Sequence, residues 1–288
     1  MTVLLTATDA RVDDGVAEGD VGVRTDTILV ARLDPGEHRL SLLSLPRDLI
    51  VADAAGAPVL INSFAGDPAA LLDAVETQIG IPVDHVVQVD VDGFRALVDR
   101  IGGIDVFFPA AVRDTGSGLY VDTLGCTRLD GEAALALARS RNLEVLMEDG
   151  SWWHDPYSDL GRVERQRVVV AAALAGLDRT GRSPGEVRDQ VDWVVDHVTI
   201  DAGLSLDDLM ELGRTVATLG AEDVDGATIP VTVHPADPNR LALAPEAAAT
   251  VSAFVAGDPL PASTGIEPLP AVPLTPSVAP SSPFVWSC

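Results

Sequence analysis

Apolar positions in the first part of the chain fall into short β-rich runs, the pattern of buried and half-buried strands. These runs cover residues 3–7, 26–34 and 39–46, and only a Pro-Gly-Glu-His segment separates the last two. A short break containing Pro and Gly between two such runs predicts a β-hairpin. The chain is therefore expected to open with strands of a sheet.

The apolar spacing then changes to three and four residues, which indicates helices. Residues 68–79 carry proline in the first turn and residues 92–103 end in two glycines, so both segments have helix-boundary signals. A strand-like run follows each of them, at 80–91 and at 104–109. This alternation predicts an α/β fold with interspersed hairpins.

Two further helices are predicted at 129–141 and 161–179, on either side of an acidic and aromatic segment, 143–160. That segment has no clear period and is interpreted as an ordered loop over a site. Arg162 and Gln166 are four residues apart in the second helix, which places them on one helical face. The two helices thus bring basic residues to both ends of one loop.

The last third of the chain predicts amphipathic helices at 183–201 and 205–219, the second opened by a Ser/Asp cap, and a strand within 227–235. Beyond residue 257 the sequence consists largely of Pro, Ser, Ala and Thr, which cannot maintain a core. The predicted organisation is one domain over residues 1–257, followed by a disordered tail over 258–288.

Composition limits the classes of function. The chain has 288 residues, 47% of them hydrophobic, which is enough for a large core, and its formal net charge is -25. Such an acidic balance argues against nucleic acid as a partner. The two cysteines form no metal-type pair, so Cys126 is expected to be an inert buried thiol and Cys288 an exposed one.

Arginines are concentrated in one part of this acidic chain. They lie between positions 139 and 167: Arg139, Arg141, Arg162, Arg165 and Arg167. A planar guanidinium presents a fork of donors that suits phosphate, so the cluster predicts a site for a phosphorylated ligand. The alternative is a set of surface arginines that pair with the surplus of acidic residues.

Carboxylates accompany arginines near the ends of the first predicted strands, the usual location of a site in an α/β sheet. They are Asp9, Asp26 and Asp48, with Arg24 and Arg47 close to them in sequence. Two carboxylates such as Asp9 and Asp26 suit Mg²⁺, with Mn²⁺ as an alternative, because both ions prefer oxygen ligands.

Four blocks in this order resemble the LytR-CpsA-Psr phosphotransferases. They are RTDTILVARLDPGEHRLSLLSLPRD, the long segment from INSFAGD to GGIDV, LDGEAALALARSR and DLGRVERQ, within residues 3–180. The loop DGSWWHDPYSDLGR resembles the actinobacterial branch. The resemblance implies an α/β/α sandwich with a central mixed sheet and an apolar polyprenyl pocket. It also implies that residues 1–257 are a catalytic domain, an enzyme that transfers a glycopolymer from a polyprenyl-pyrophosphate carrier to a peptidoglycan hydroxyl.

The resemblance also implies roles for individual residues. The metal ligands are Asp9 and Asp26. The pyrophosphate-binding residues are Arg24, Arg47, Arg139, Arg141, Arg162 and Gln166, and the catalytic residues are Arg47, Asp48, Arg139 and Arg141. The base that takes the acceptor proton is left open between Asp48 and Asp26.

The chain departs from the family pattern at several points. Leu60 stands where the family has lysine, Ala7 where it has glycine and Arg167 where it has glutamine. The usual N-terminal membrane anchor is not present, which we interpret as an anchor missing from an extracytoplasmic, cell-envelope protein that meets the membrane surface through its lipid substrate. Two other functions stay open: a polyprenyl-pyrophosphate pyrophosphatase, and a catalytically weak module that binds polyprenyl phosphate.

Three aromatic residues of the loop and one acidic residue have simple interpretations. His154 is expected to make a loop contact rather than act in catalysis. Trp152 and Trp153 are expected to pack within the loop, with stacking on a glycan as the alternative. Asp159 precedes the Arg162 helix and is expected to be its N-cap.

Overall fold

The computed structural model describes residues 1–9, 24–178, 198–201, 203–205, 208, 212, 215, 218–219 and 223–261. These residues belong to two compact units. The first comprises the described residues within Met1–Gly93 and Gly181–Ser263, and the second those within Phe94–Thr180.

A mixed six-stranded sheet forms the centre of the first unit, as the α/β prediction requires. Its strands are β1 (Thr2–Asp9), β2 (Arg24–Asp34), β3 (Arg39–Ser44), β6 (His85–Asp90), β13 (Val198–Ile200) and β14 (Val224–Thr228). The order across the sheet is β13-β6-β1-β2-β3-β14, and the β1–β6 and β3–β14 pairs are parallel. The predicted hairpin is confirmed, because β2 and β3 pair antiparallel.

Two small hairpins complete the strands of this unit. They are β4 (Ile50–Ala52) with β5 (Pro58–Leu60), and β15 (Val231–His234) with β16 (Asp237–Leu243). The single strand expected within 227–235 is therefore two: β14 ends at Thr228 and β15 begins at Val231.

The helices of the first unit are α1 (Pro68–Ala74), which continues as a π-helical turn (Val75–Ile79), a 3₁₀ turn (Ile61–Phe64) and α5 (Ala247–Ala256). α1 begins after Asp67, whose carboxylate accepts a hydrogen bond from the amide of Ala70, with Pro68 in the first turn. The segment ends at Gly80, which has the left-handed φ of +87° that favours glycine. The predicted helix at 68–79 is confirmed.

The second unit has two small sheets and two long helices. Its elements are β7 (Ile104–Phe108), β8 (Val112–Asp114), β9 (Leu119–Val121), β10 (Gly125–Leu129), α3 (Gly131–Arg139), β11 (Glu144–Leu146), β12 (Trp152–His154) and α4 (Ser158–Asp178). Before them, α2 (Val91–Arg100) leads out of the first unit. β7 pairs with β10, and the other four strands form a sheet in the order β12-β11-β8-β9.

The expectation of a loop over residues 143–160 is wrong, because β11 and β12 form an antiparallel hairpin there. Val145 is buried in the apolar core of the second unit, and Trp153 packs against that core. The strands are only three residues long, so the sequence shows too few alternations to reveal them.

Several other expectations are settled in part. Residues 198–200 are a strand, not the end of a helix, and residues 183–197 lie outside the described part of the chain. The cap at Ser205 is confirmed, since its hydroxyl donates to Asp208 Oδ2 and accepts from the Asp208 amide. The predicted tail is described only as far as residue 261, and the amide of Leu260 donates to Asp225 Oδ2.

Cys126 differs from expectation. It lies exposed on β10 and is disulfide-bonded, so it is neither buried nor a thiol. The other cysteine, Cys288, for which an exposed thiol is expected, lies outside the described residues. None of the described helices has both the length and the apolar character needed to cross a bilayer.

Candidate functional site

Three of the predicted site residues of the first unit lie on the paired ends of β1 and β2. Asp9 lies opposite Arg24 and Thr8 opposite Thr25, but Ala7 lies opposite Thr27, so Asp26 is the extra residue of a β-bulge. This register puts the Cα atoms of Asp9 and Asp26 on the order of 7 Å apart. The pairing therefore brings the two predicted metal ligands to neighbouring backbone positions.

The donor set at this point fits a hard divalent cation. Two carboxylates on adjacent strands are the kind of ligand that Mg²⁺ takes from proteins, with phosphate oxygens and water in the remaining positions. The side chains of Asp9, Arg24 and Asp26 lie outside the described part of the structure, so their metal and phosphate assignments stay predictions. Among the described side chains, no three His, Cys, Asp or Glu residues cluster as a metal site would require.

Arg47 and Asp48 occupy the turn after β3, and both side chains are largely shielded from solvent. Arg47 Nε lies 3.7 Å from Asp48 Oδ2. The backbone of the turn is held from two sides, because the amide of Asn62 donates to Arg47 O and that of Leu241 donates to Asp48 O. The turn therefore presents an arginine and a carboxylate side by side in a fixed backbone.

The second unit contains the arginine cluster, and its first part is the turn that ends α3. Arg139 is the last residue of α3, Ser140 follows as its cap, and Arg141 comes next. Buried Asp114, at the end of β8, holds this turn through Oδ2, which accepts hydrogen bonds from the Ser140 hydroxyl at 2.8 Å and from the Arg141 amide at 2.9 Å. The Asn142 amide adds a third bond to the same oxygen, at 2.8 Å. One carboxylate thus fixes the backbone that carries two predicted phosphate ligands.

The hydrogen bonds to Asp114 make this turn sensitive to acid. Burial raises the pKa of Asp114. The hydrogen bonds from Asn142, Ser140, Gly116 and Arg141 lower this pKa by more than burial raises it, so the pKa lies below its ordinary value of 3.8. A carboxyl whose pKa is depressed by folding stabilises the protein above its unfolded pKa and loses that effect as pH falls through the folded pKa.

We therefore expect Asp114→Asn to lower the free energy of unfolding at pH 7 by at least about 2 kcal/mol, because hydrogen bonds to a charged acceptor are lost. This difference in the free energy of unfolding between the native protein and the variant is expected to persist down to about pH 5 and to shrink below pH 3.8. Urea denaturation at pH 7, 5 and 3 measures it. A difference that does not change with pH would contradict the role given to the charge.

Arg165 holds the same turn from α4. Its Nε and Nη2 donate to the carbonyl oxygen of Ser140 at 3.2 and 2.8 Å, and its Nη1 donates to Asp155 Oδ2 at 2.7 Å. Both side chains of this ion pair are buried. Burial lowers the pKa of Arg165 and the hydrogen bond to Asp155 partly offsets this, and an arginine stays ionised at neutral pH. Arg165 is therefore a positioning residue, a role that the sequence did not reveal.

Gly161 makes room for this ion pair. A Cβ atom at this position would meet Asp155 Oδ2, and it would lie 3.0 Å from Arg165 Nη1. Gly161 stands in the first turns of α4, where any larger residue would press against two buried charged groups. Packing against this ion pair therefore explains why glycine occupies this position of the DLGRVERQ motif.

Gly161→Ala is expected to lower the free energy of unfolding by about 1–3 kcal/mol, because overpacking outweighs the better helix propensity of alanine. Gly176→Ala is the matched control in the same helix, where the new Cβ would meet the end of the Ile101 side chain, at 3.0 Å. Chemical denaturation of both variants tests this. Equal stability of the two variants would argue against the packing role of Gly161.

Arg141 and Arg162 converge on a single carboxylate oxygen. Arg141 Nε lies 3.4 Å and Arg162 Nη2 lies 3.1 Å from Asp159 Oδ1. Arg162 is only 1% exposed, whereas Arg141 is 40% exposed. The expectation that Asp159 is an N-cap is wrong: it is the second residue of α4, and its carboxylate lies between two guanidinium groups. The two arginines, 21 positions apart in sequence, can therefore hold one anionic oxygen together.

The remaining members of the cluster have different surroundings. Gln166 is buried next to Arg165 on α4. Arg167 forms an ion pair with Glu164, and both side chains are largely buried. The start of α4 also places the positive end of a 21-residue helix near Arg162, which favours an anion there.

The hairpin residues separate into an inner and an outer set. Trp153 packs against the core, which confirms the packing interpretation for this residue. Trp152 instead lies against Arg113, with the guanidinium carbon 4.0 Å from the ring centroid. His154 Nε2 lies 3.0 Å from Glu144 Oε1, a contact within the hairpin, as expected for this residue.

Comparison with known proteins agrees with the motifs. A family model described as the LytR_cpsA_psr family matches residues 1–251. The chain belongs to this family. The family match includes the motifs that contain Arg139, Arg141 and Arg162, so these motifs are not isolated similarities.

Relatives within the LytR_cpsA_psr family include curated proteins of two bacterial groups. The polyisoprenyl-teichoic acid–peptidoglycan teichoic acid transferase TagU of Enterococcus faecalis is 32% identical over 215 residues, 73% of this chain and 64% of the relative. The probable cell wall biosynthesis protein LcpB of Corynebacterium glutamicum is 33% identical over 174 residues, 58% of this chain and 37% of the relative. The chain thus spans less than two thirds of the length of either relative.

A solved structure in the LytR_cpsA_psr family supports the fold. The LytR-Csp2A-Psr enzyme from Actinomyces oris superposes on this chain with a TM-score of 0.70 at 27% identity. The aligned part covers 88% of this chain and 89% of the chain of that enzyme. The mixed α/β architecture is therefore that of the family.

Proposed function

We propose that the protein transfers a glycopolymer from a polyprenyl-pyrophosphate carrier to a hydroxyl of peptidoglycan. The observation that carries the proposal is the convergence of Arg141 and Arg162 on one carboxylate oxygen. A phosphoryl oxygen offers the same kind of acceptor to a guanidinium fork, so these side chains suit the phosphate groups of such a carrier. The E. faecalis relative, named as a transferase of teichoic acid to peptidoglycan, supports the same reaction class.

In the proposed reaction the acceptor oxygen attacks the phosphorus that bears the glycan. The bond from this phosphorus to the bridging oxygen breaks, polyprenyl phosphate leaves, and the acceptor proton passes to a carboxylate, Asp48 or Asp26. Arg141 and Arg162 bind phosphoryl oxygens, with Arg139 at the start of the turn that carries Arg141, and donors already in place stabilise the charge that develops there. Asp9 and Asp26 would hold Mg²⁺, which supplies further neutralisation of the pyrophosphate when bound.

The positions of the proposed ligands are fixed by residues that do not touch the substrate. Asp114 and Arg165 hold the turn of Arg139 and Arg141 from two sides. Because the turn is fixed before binding, little ordering is needed when the phosphate arrives, and this is the condition for electrostatic stabilisation of a transition state. We propose Arg24, Arg47 and Gln166 as further pyrophosphate ligands, with Arg47 beside the carboxylate of Asp48.

The compartment that we propose is the cell envelope, outside the cytoplasm. The disulfide at Cys126 supports this, because disulfides persist in oxidising compartments and are rare in the cytosol. The apolar polyprenyl pocket stays a prediction of the family resemblance, as does contact with the membrane surface through the lipid substrate.

A transfer assay tests the proposed function. The purified chain is supplied with Mg²⁺ or Mn²⁺, a labelled glycan on polyprenyl pyrophosphate, and peptidoglycan, and the label that becomes attached to peptidoglycan is measured. We expect attachment that is lost on chelation and in Asp26→Ala. Release of glycan phosphate into water would identify the pyrophosphatase instead, and retention of the lipid with no turnover would identify the binding module.

A further inference from the structure

The sheet β12-β11-β8-β9 has one face on the core and one face outward. Val112 and Val145 are buried in the core, and Trp153 packs against it. Because side chains alternate along a strand, the residues between and beside them face outward. The outward residues that lie opposite one another across the four strands are Tyr120, Arg113, Glu144 and His154. We call these four residues, together with Trp152, the outer row.

Contacts hold the polar part of the outer row in place. Arg113 Nε donates to Glu144 Oε2 at 2.6 Å, and His154 Nε2 lies 3.0 Å from Glu144 Oε1. Trp152 stacks on the Arg113 guanidinium. Arg113, Glu144, Trp152 and His154 therefore have defined positions, and a ligand would meet a largely pre-ordered surface at little entropic cost.

The aromatic part of the row is open to solvent. Tyr120 is 66% exposed, and Trp152 is partly exposed. The side chain of His154, at the other end, is 71% exposed. Three inter-strand spacings separate Tyr120 from His154, a distance of about 14 Å. This surface is long and narrow, with Tyr120 on one edge strand and Trp152 and His154 on the other.

The outer row lies at the end of the sheet that also holds the arginine turn. Arg113 is followed by Asp114, which binds the Arg141 amide, and His154 is followed by Asp155, which binds Arg165. Two residues of the row are therefore direct chain neighbours of residues that position the proposed phosphate ligands. Glu144 of the row also follows Arg141 by three positions, so the row and the arginine turn adjoin at this end of the sheet.

We propose that the outer row binds the sugar rings of the acceptor glycan. This proposal rests on the proposed function. Aromatic rings offer flat apolar surfaces to the C–H faces of sugars, and ordered arginine, carboxylate and imidazole groups offer hydrogen bonds to hydroxyl and amide groups. Arg113 and Glu144 neutralise each other, so the row lacks the excess positive charge that a phosphate-rich polymer would require. An amino-sugar strand with few charges is the matching occupant.

Binding can be measured without turnover. The probe is an uncharged oligomer of N-acetylglucosamine, an amino sugar of the kind proposed, titrated into the 288-residue chain by calorimetry. We expect Tyr120→Ala and Trp152→Ala each to raise Kd about tenfold, as for exposed aromatic anchors of an interface. Leu124→Ala is the control, since this residue is 60% exposed but lies outside the sheet, and its Kd is expected to equal that of the native protein. A poly(glycerol phosphate) chain is expected not to compete.

Three results would overturn the inference: no glycan binding by the native protein, a Kd in both aromatic variants that equals that of the native protein, or a tenfold rise of Kd in Leu124→Ala as well. Stronger binding of the phosphate polymer would assign the row to the donor instead. In the transfer assay the aromatic variants are expected to raise KM for the acceptor and to leave KM for the lipid-linked donor unchanged. If no transfer occurs but binding is lost in the variants, the proposed function fails and the glycan surface stands.

Discussion

Replacing Arg165 by alanine is expected to lower the free energy of unfolding by about 3–5 kcal/mol, the largest effect on stability that we predict for a single residue. The substitution leaves the Asp155 carboxylate buried without its 2.7 Å ion pair. It also removes both donors from the carbonyl oxygen of Ser140. Denaturation in urea, followed by circular dichroism, measures the loss.

Arg95→Ala is the matched control, because Arg95 forms an ion pair with Glu132 on the surface of the same unit. Exposed pairs contribute about 0–1 kcal/mol, so this variant is expected to unfold almost as the native protein does. If Arg165→Ala costs no more than Arg95→Ala, the buried pair does not hold the turn. A double variant that also removes Asp155 is expected to recover part of the stability, since no unpaired charge then remains.

Loss of Arg162 is expected to lower the rate of glycan transfer by about 10²–10³-fold, the usual effect of removing one pre-ordered donor from a developing anion. The effect should fall on kcat more than on KM if the contact strengthens in the transition state. The measurement is the transfer assay with labelled lipid-linked glycan. Arg162→Lys is expected to recover only part of the rate, because lysine restores a charge without the planar fork.

Arg162 is almost fully buried, so its replacement must be separated from a loss of folding. Arg141→Ala serves this purpose, because Arg141 is 40% exposed and faces the same oxygen of Asp159. Arg128→Ala is the control, since Arg128 pairs with Asp105 on an exposed surface of the same unit. Transfer at the native rate by a folded Arg141→Ala protein would remove the convergence of Arg141 and Arg162 as the basis of the proposed function.

The arginines of the cluster differ in role, although they look alike in sequence. Arg165 is buried against Asp155 and the backbone of Ser140, so it serves the structure of the site. Arg141 and Arg162 both pair with the carboxylate of Asp159, an anionic oxygen group of the kind that a phosphate also offers. Arg167 pairs with Glu164. Arg165, to which the resemblance gives no role, fixes the turn that presents two of the ligands.

Longer elements were predictable because their periodicity is local. The strands around 26–34 and 39–46, the helix at 68–79 and the helix containing Arg162 appear close to their predicted limits. The hairpin at 144–154 was missed because three-residue strands carry little periodic signal, and pairing with β8 supplies their stability. The disulfide at Cys126 was missed because two cysteines far apart in the sequence carry no signal that either of them is bonded.

By itself the sequence determined the mixed α/β class, the family motifs and the presence of many guanidinium groups near one loop, since these depend on residue type and short-range order. Only the tertiary structure decided which charge each arginine meets. Asp114 is 26 residues from Ser140, and Arg165 is 25 residues from the carbonyl that it holds. Burial and charge pairing arise when such distant segments pack together, and that packing separates a positioning residue from a binding one.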